Sequence, residues 1–422
     1  MLNAANNEAI TRTGPGTPMG EYLRRFWIPA LGSHELAAPD CPPLRVRLLG
    51  ENLIAFRTTS GEVGLVQNAC PHRGASLFFG RNEEEGLRCV YHGWKFDTTG
   101  ACVDMPSEPA ESNFKTKVHA TAYATTERGG IVWAYLGRAE LRPELPHYEW
   151  TLVPEGHVRI SRRVQECNYL QAIEGGIDSS HVPFLHGVLD PVRRSAPNQM
   201  YLYGDTAPRL RVTRTPYGFA YGAERNAEAD SFYWRFTPFL FPFFTVIPGF
   251  TITPETPTDV DPRQLTYSGH GWIPMDDENC WMFTYSWNSG RPLAEDEGHP
   301  AHFVELDPRT RKATVNASND YQIDREVQRT TTFTGIANGS LQDGAVQESM
   351  GPIFDRAKEH LGTSDFAIIT LRNMYLEGVR EVLEGGEPFV PNVPDAFRVR
   401  SVSAILNRGV PFLDGLQYMA VE

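Results

Sequence analysis

The sequence is short of positive charge, of long apolar runs and of cysteine. Lysine and arginine number 39 against 52 aspartate and glutamate, a net charge of −13. Nucleic acid wants a basic face, so this balance argues against it as a partner. No apolar run approaches the ~20 residues that cross a bilayer. The N-terminal stretch MLNAANNEAITRTGPG has neither a basic start nor an apolar segment, so no signal peptide is expected and a cytoplasmic location is. Six cysteines are present in 422 residues, and a chain of that length builds cores without disulfides. There is no G-x-G-x-x-G turn for a dinucleotide and no C-x₄-C-x₂-C ferredoxin run. No period of 20–50 residues recurs, which excludes a repeat architecture.

What is there is concentrated between Cys70 and Trp94, CPHRGASLFFGRNEEEGLRCVYHGW. Cys70-Pro71-His72 is followed, after a 16-residue spacer, by Cys89-Val90-Tyr91-His92. Two thiolates and two imidazoles suit either a single zinc or a 2Fe–2S cluster with two cysteines on one iron and two histidines on the other. The one-residue gap in Cys70-x-His72 is tight for tetrahedral zinc, where wider ligand gaps are usual. Pro71 and Gly74 after the first pair and Gly93 after the second put both pairs at turns. These loops resemble those of the Rieske family, which read CPHRG and YHGW in many members. Neutral histidine ligands hold such a cluster at roughly −150 to +300 mV, so it accepts an electron readily and makes no bonds itself. The remaining cysteines, Cys41, Cys102, Cys167 and Cys280, have no paired spacing and read as buried free thiols.

Length alone suggests two or three domains of ~150 residues. Gly14–Pro18 is a turn-rich opening, and Met19–Trp27 a short helix or turn. Residues 44–67 alternate apolar and polar side chains around glycine turns, a β-meander. WKFDTTGACVD after the ligand loops reads as a hairpin, and Ile131–Gly137 as a strand. The first domain is therefore mostly β and ends near the prolines of Leu141–His147. Beyond it, Val158–Val164 reads as a strand and Asn168–His181 as a helix. Six strands follow: 209–214, 219–224, 232–236, 243–247, 264–273 and 280–287, the last two joined by a turn at 275–279. The Pro-rich piece from Pro238 to Pro262 reads as an irregular wall. Helices are expected around 319–329, 352–361 and 365–384, and the last 35 residues as an extended tail. The fold class is α+β: a mostly antiparallel β domain over 1–150, and a domain over 151–422 with an antiparallel sheet and packed helices.

The second domain carries NYLQAIEGGIDSSHVPFLH at 168–186. On a helix, Asp178 and His181 share a face at i, i+3. His186 lies five residues past His181 and would rotate away, but Pro183 ends or bends the helix and lets it swing back. Two close imidazoles need one carboxylate to make the facial triad that holds non-haem iron(II) with open positions.

The pattern D-x-x-H-x-x-x-x-H is similar to that of Rieske oxygenases. That resemblance implies a third ligand far downstream, and Asp343, in Gln342-Asp343-Gly344 before 345–361, is the match. Asp307, Asp320 and Asp324 are rivals that read better as loop or helix-cap acids. It also implies that Asp178 is not a ligand but a bridge from a cluster histidine, matching His92, of one subunit to an iron histidine, matching His181, of the next. TRTGPGTPMG…LRRFWIPAL, MPSEP at 105–109 and QDGAVQESMGPIFDRAKEHLGTSD at 342–365 resemble the phthalate-dioxygenase branch. Several things are implied. The catalytic domain should be helix-grip, START-like. The cofactors should be a 2Fe–2S Rieske cluster on Cys70, His72, Cys89 and His92 and a mononuclear iron on His181, His186 and Asp343, with O₂ as co-substrate. The assembly should be a homotrimer, sometimes stacked to a hexamer. A separate NAD(P)H-dependent reductase, flavin plus 2Fe–2S, should supply electrons, as the missing dinucleotide turn also requires.

Members of that branch act on aromatic carboxylates by ring dihydroxylation, or remove O- or N-methyl groups. A carboxylate wants an arginine fork in an apolar pocket. Arg209 aligns with a carboxylate-binding arginine of phthalate-type members, with Arg211, Arg214, Arg225 and Arg235 as rivals. Ser179 and Ser180 are further candidate donors, and Phe239–Phe250 offers aromatic walls; it lacks the second arginine that phthalate-type members use near here, a departure from the resemblance that favours a monocarboxylate over phthalate. Two other classes stay open: a Rieske electron carrier with an inert second domain, and a START-like binding module without chemistry.

Overall fold

The computed structural model describes residues 2–195, 199–249, 251–252 and 261–421. The chain divides into two compact units, Thr13–Pro143 with Pro274–Asp276, and Met1–Arg12 with Glu144–Ile273 and Asp277–Glu422. Residues 2–12 thus group with the second unit, not with the β domain in which 1–150 were expected. The reason is local: Tyr169 Oη donates to Ile10 O at 2.7 Å, and Asn168 Nδ2 donates to Thr11 O at 2.9 Å.

Helix α1 (Ala4–Thr11) therefore belongs to the second unit, and α2 (Pro18–Leu23) opens the first. Thr17 caps α2, and Pro18 sits at its first turn where no amide hydrogen is missed. The first unit then runs β1 (Trp27–Gly32), β2 (Leu44–Leu48), β3 (Glu51–Arg57), β4 (Val63–Gln67), β5 (Arg81–Glu83), β6 (Gly86–Arg88), β7 (Lys95–Phe96), β8 (Cys102–Asp104), β9 (Ala122–Arg128) and β10 (Ile131–Tyr135). Six of these form an antiparallel sheet in the order β1-β10-β9-β4-β3-β2, which contains the expected meander, and β5 to β8 form a second sheet in sequence order. The core beneath the ligand loops is built on Phe56, Leu77, Leu87, Trp94 and Phe96.

The second unit contains β11 (Val158–Gln165), α3 (Tyr169–Ile177), α4 (Val182–Leu185), α5 (Pro191–Arg194), α6 (Met200–Gly204), β12 (Arg209–Thr215), β13 (Gly218–Asn226), β14 (Ser231–Leu240), β15 (Phe244–Ile247), β16 (Thr251–Ile252), β17 (Tyr267–Pro274), β18 (Cys280–Trp287), α7 (Arg325–Thr330), α8 (Gly339–Ser349), α9 (Phe366–Leu383), β19 (Val402–Asn407) and α10 (Phe412–Gly415). Seven strands follow the order β11-β18-β17-β15-β14-β13-β12. β19 adds antiparallel to β14 with Arg235 opposite Ser403, and β16 runs parallel to it. Helix α9 packs along β12, and α3 against α8.

Four expectations give way here. The helix over 168–181 stops at Ile177, because Gly175-Gly176 weaken it and the Asp178 carboxylate accepts from Ser180 N at 2.6 Å in a local turn. The helix expected over 352–361 lies instead at 339–349, ended by Gly351 at φ +86° and Pro352. The last 35 residues are not a tail, since Val402–Asn407 completes the sheet. The wall from Pro238 is regular as far as Ile247, and 253–260 lie outside the described residues. Cys102, Cys167 and Cys280 are buried free thiols, whereas Cys41 is half-exposed.

A buried ion network fixes α3. Glu174 accepts from Arg356 Nε at 2.9 Å and from Arg372 Nε at 2.6 Å, and Arg372 also pairs with Glu359. Arg356 is wholly buried, so its charge depends on this carboxylate.

Candidate metal centres and cavity

In the first unit two loops of equal design face each other. Gly74 N donates to Cys70 O at 2.8 Å and Cys70 N to Ala75 O at 2.8 Å; Gly93 N donates to Cys89 O at 2.9 Å and Cys89 N to Trp94 O at 2.8 Å. Each glycine sits in the left-handed region, φ +76° and +78°, which a side chain resists. At Gly93 an added Cβ would also meet Pro106 Cγ at 2.7 Å. The loops bury both sulfurs and leave both imidazoles half-buried, ring centroids 4.4 Å apart. The His72 ring stacks on Trp94 at 4.2 Å. Burial, with the neighbouring Cys89, pushes the Cys70 thiol up to about 11, and His72 Nδ1 is buried without a hydrogen-bond partner. An orphaned nitrogen and two close buried sulfurs are what a bound cluster would satisfy.

In the second unit His181 and His186 flank the single turn of α4, with Pro183 inside that turn. Pro183 therefore starts a helix instead of ending one, but the two imidazoles still converge, with Nε2 atoms 3.2 Å apart. Asp343 reaches them from the middle of α8, its Oδ1 3.4 Å from His186 Nε2 and 3.8 Å from His181 Nε2. One ligand atom from each of the three lies within 4.8 Å of the others. Two nitrogens and a carboxylate crowded this way fit a divalent cation, and the donor set is the one iron(II) takes with open positions. Behind His181, Asp178 Oδ2 stands 3.6 Å from Nδ1. Burial opposes the Asp178 charge, yet His181 and the Ser180 amide outweigh it and hold the carboxyl below its usual range.

These side chains open onto a cavity of about 490 Å³, within the range of small-molecule sites. Its walls include Val182, Val188, Val246, Ile247, Trp272 and Ala337. The aromatic run expected to line it does not: Phe239, Phe241, Phe243 and Phe244 are buried in the core, and Phe250 lies outside the described residues. Gly175-Gly176 bring α3 close to this wall, since a Cβ at Gly176 would meet Trp272 Cη2 at 2.1 Å.

Of Arg209, Ser179 and Ser180, only Ser179 lines the cavity, and Arg225 Nη2 donates to its carbonyl at 2.7 Å. Arg209 does not. It lies on the outer strand β12, more than half exposed, lines a separate hollow with Ser180 and sits 3.6 Å from Glu224. The arginines at the cavity are Arg235, half-buried on β14, and Arg193, exposed on α5. The Arg235 side chain makes no hydrogen bond or ion pair with the described residues. The sequence placed Arg235 only among the rivals of Arg209. Its signal was the strand period: Arg235 and Thr237 share a face, whereas Trp234 and Phe236 alternate onto the Phe412 side. Two histidines were also missed. His270 and His299 line the same cavity, rings 4.5 Å apart. Burial drives His299 down to about 4 and His270 well below its usual value, so both face the cavity neutral.

A cysteine–histidine loop pair in one unit and a two-histidine, one-carboxylate pocket in the other define a class, the Rieske-type non-haem iron oxygenases. Comparisons with known proteins agree. Residues 26–124 match the Rieske [2Fe-2S] domain, and residues 134–413 match the LigXa C-terminal domain like family. The 3-chlorobenzoate-3,4-dioxygenase oxygenase subunit of Comamonas testosteroni is 40% identical over 94% of this chain and 93% of its own. The phthalate 4,5-dioxygenase oxygenase subunit of Pseudomonas putida is 37% identical over 98% and 94%. The 5,5'-dehydrodivanillate O-demethylase oxygenase subunit of a Sphingobium species is 31% identical over 92% and 83%. Among solved structures, the fold is shared with Pseudomonas putida CBB5 NdmA bound to caffeine, at a TM-score of 0.60 and 22% identity over 89% of this chain and 94% of that one. This chain belongs to the Rieske oxygenase family, as an oxygenase alpha subunit of the phthalate-dioxygenase-like branch. It is an oxidoreductase that uses a Rieske 2Fe–2S cluster, a mononuclear iron and O₂, as the oxygenase component of a multicomponent system. None of the described helices is long and apolar enough to cross a membrane.

Proposed function

We propose that this subunit oxygenates a small aromatic carboxylate of the benzoate type, with ring dihydroxylation as the favoured outcome. The observation that carries the reading is the Arg235 side chain, unpaired among the described residues, in the cavity that also holds His181, His186 and Asp343. A half-buried guanidinium with no ion-pair partner among the described residues suits an anion, and its planar fork matches a carboxylate. Arg193 at the exposed side of the cavity adds attraction for an acid on approach. The apolar walls take the ring, and the neutral His270 and His299 add polar contacts without a second fixed charge.

Cys70, His72, Cys89 and His92 are the cluster ligands in this reading, and His181, His186 and Asp343 the iron ligands. The unit built on Thr13–Pro143 carries the relay and the other unit the chemistry. The cluster supplies single electrons and the mononuclear iron supplies O₂ activation. Asp178 is a positioning residue: its carboxylate orients His181 and, in a head-to-tail homotrimer, accepts from His92 of the neighbouring subunit. A reductase carrying flavin and 2Fe–2S, in the cytoplasm, is the electron source that fits.

The demethylase relative supports a second outcome, removal of a methyl group from a methoxylated aromatic acid. The deciding experiment combines iron analysis with substrate-dependent O₂ uptake, using a generic reductase and a panel of halo-, hydroxy- and methoxybenzoates. About three irons per chain and benzoate-dependent uptake are expected. Two irons per chain and no uptake would leave only an electron carrier, and product masses separate dihydroxylation from demethylation.

A further inference from the structure

The geometry points to Gln342 as the residue that fixes His186 in the one tautomer able to bind metal, a positioning role that rests on the metal-site reading above. Gln342 is buried on α8, one residue before Asp343, and its side chain spans two partners. Its Nε2 donates to the Ile336 carbonyl at 2.8 Å. A carbonyl oxygen only accepts, so this contact decides which end of the amide is nitrogen. The other end, Oε1, lies 2.8 Å from His186 Nδ1 and must accept. The proton of the neutral imidazole is therefore on Nδ1, and the lone pair is on Nε2, the atom that faces His181 and Asp343. A backbone carbonyl thus dictates, through one amide, which nitrogen of His186 is free for the ion. The same hydrogen bond sets the plane of the ring and makes its nitrogen a better donor.

The two iron histidines are then oriented differently. His181 has a carboxylate behind it, Asp178, at 3.6 Å, whereas His186 has a neutral amide at hydrogen-bond distance. The histidine next to the proposed electron route carries the charged partner, and the other carries the uncharged one.

The test uses the full chain loaded with its cluster and measures affinity of the mononuclear site for Co(II) or Fe(II) by competition with a chelator. The cluster's visible spectrum, from the other unit, reports that the protein remains folded. Gln342→Leu removes both contacts of the amide and should weaken metal binding about 10- to 100-fold with the cluster spectrum unchanged. Gln342→Glu loses the donor to Ile336 but keeps the acceptor for His186, and should bind metal at least as well as the native protein. If Gln342 only ties α8 to the 336 loop, both variants lose the Ile336 bond and fall together, which overturns the inference. Native affinity in Gln342→Leu overturns it as well. If the unmutated protein takes up no metal at this site, the functional reading itself fails instead.

Discussion

Replacing Arg235 is the sharpest probe of how the cavity selects its ligand. The side chain is half-buried, faces the space beside His181, His186 and Asp343, and makes no ion pair with the described residues. Truncating one partner of a desolvated charge pair costs about 2–5 kcal/mol, against about 0–1 kcal/mol at an open surface. Half burial places Arg235→Ala at roughly 2–3 kcal/mol, or a 30- to 150-fold rise in the Kd for a benzoate. The amide of the same acid separates charge from shape, since it keeps the ring but not the anion. Calorimetric titration should show a large loss for the acid and a loss within about 0.5 kcal/mol for the amide. Arg209→Ala is the control: exposed on β12 and outside the cavity, it should move neither ligand beyond about 0.5 kcal/mol. Equal losses for acid and amide in Arg235→Ala, or a loss in Arg209→Ala alone, would refute the reasoning.

Two further outcomes concern the scaffold of the site. Asp178→Asn should keep both metals by iron analysis and cluster absorbance yet slow turnover severely, because the amide cannot serve as a charged acceptor for His181; unaltered turnover would remove the bridging role. Glu174→Gln should destabilise by about 3–5 kcal/mol in urea titration, since it leaves Arg356 buried with no counter-charge. Burial opposes ionisation of Glu174, but Arg356 and Arg372 hold its carboxyl below the usual glutamate range. Its contribution is therefore present above the unfolded-state pKa and is lost as pH falls through the lower folded value, so the native protein should weaken in acid and the variant should show less of that slope.

The parts of this protein that sequence made legible are those whose chemistry is local. The ligand loops at 70–74 and 89–93 announce themselves because each packs its cysteine, histidine and obligatory glycine into a few residues. The meander at 44–67 was visible through its alternation. Pairing across distance was harder. Asp343 comes to His186 from a helix far along the chain, and that helix runs 339–349 because Gly351 and Pro352 stop it. Neither residue propensity nor spacing shows that 352–361 leaves the helical state. Arg209 lies away from the cavity because alignment takes no account of which strand is outermost. β12 ends the sheet path and turns its charged face to water, whereas β14 lies inside it. The phenylalanines at 239–244 are likewise buried in the core, a placement their composition does not distinguish from a cavity wall.

The pairing of β19 with β14 bears on biosynthesis. The strand that presents Arg235 receives its neighbour, Ser403, from a segment made some 170 residues later. While the nascent polypeptide is still on the ribosome, strands β1 to β10 are already available to one another, but the edge of β14 stays bare until Val402–Asn407 emerges. A product terminated early by a nonsense codon ahead of Val402 would retain His181, His186 and Asp343 and still display an uncovered, aggregation-prone edge beside Arg235.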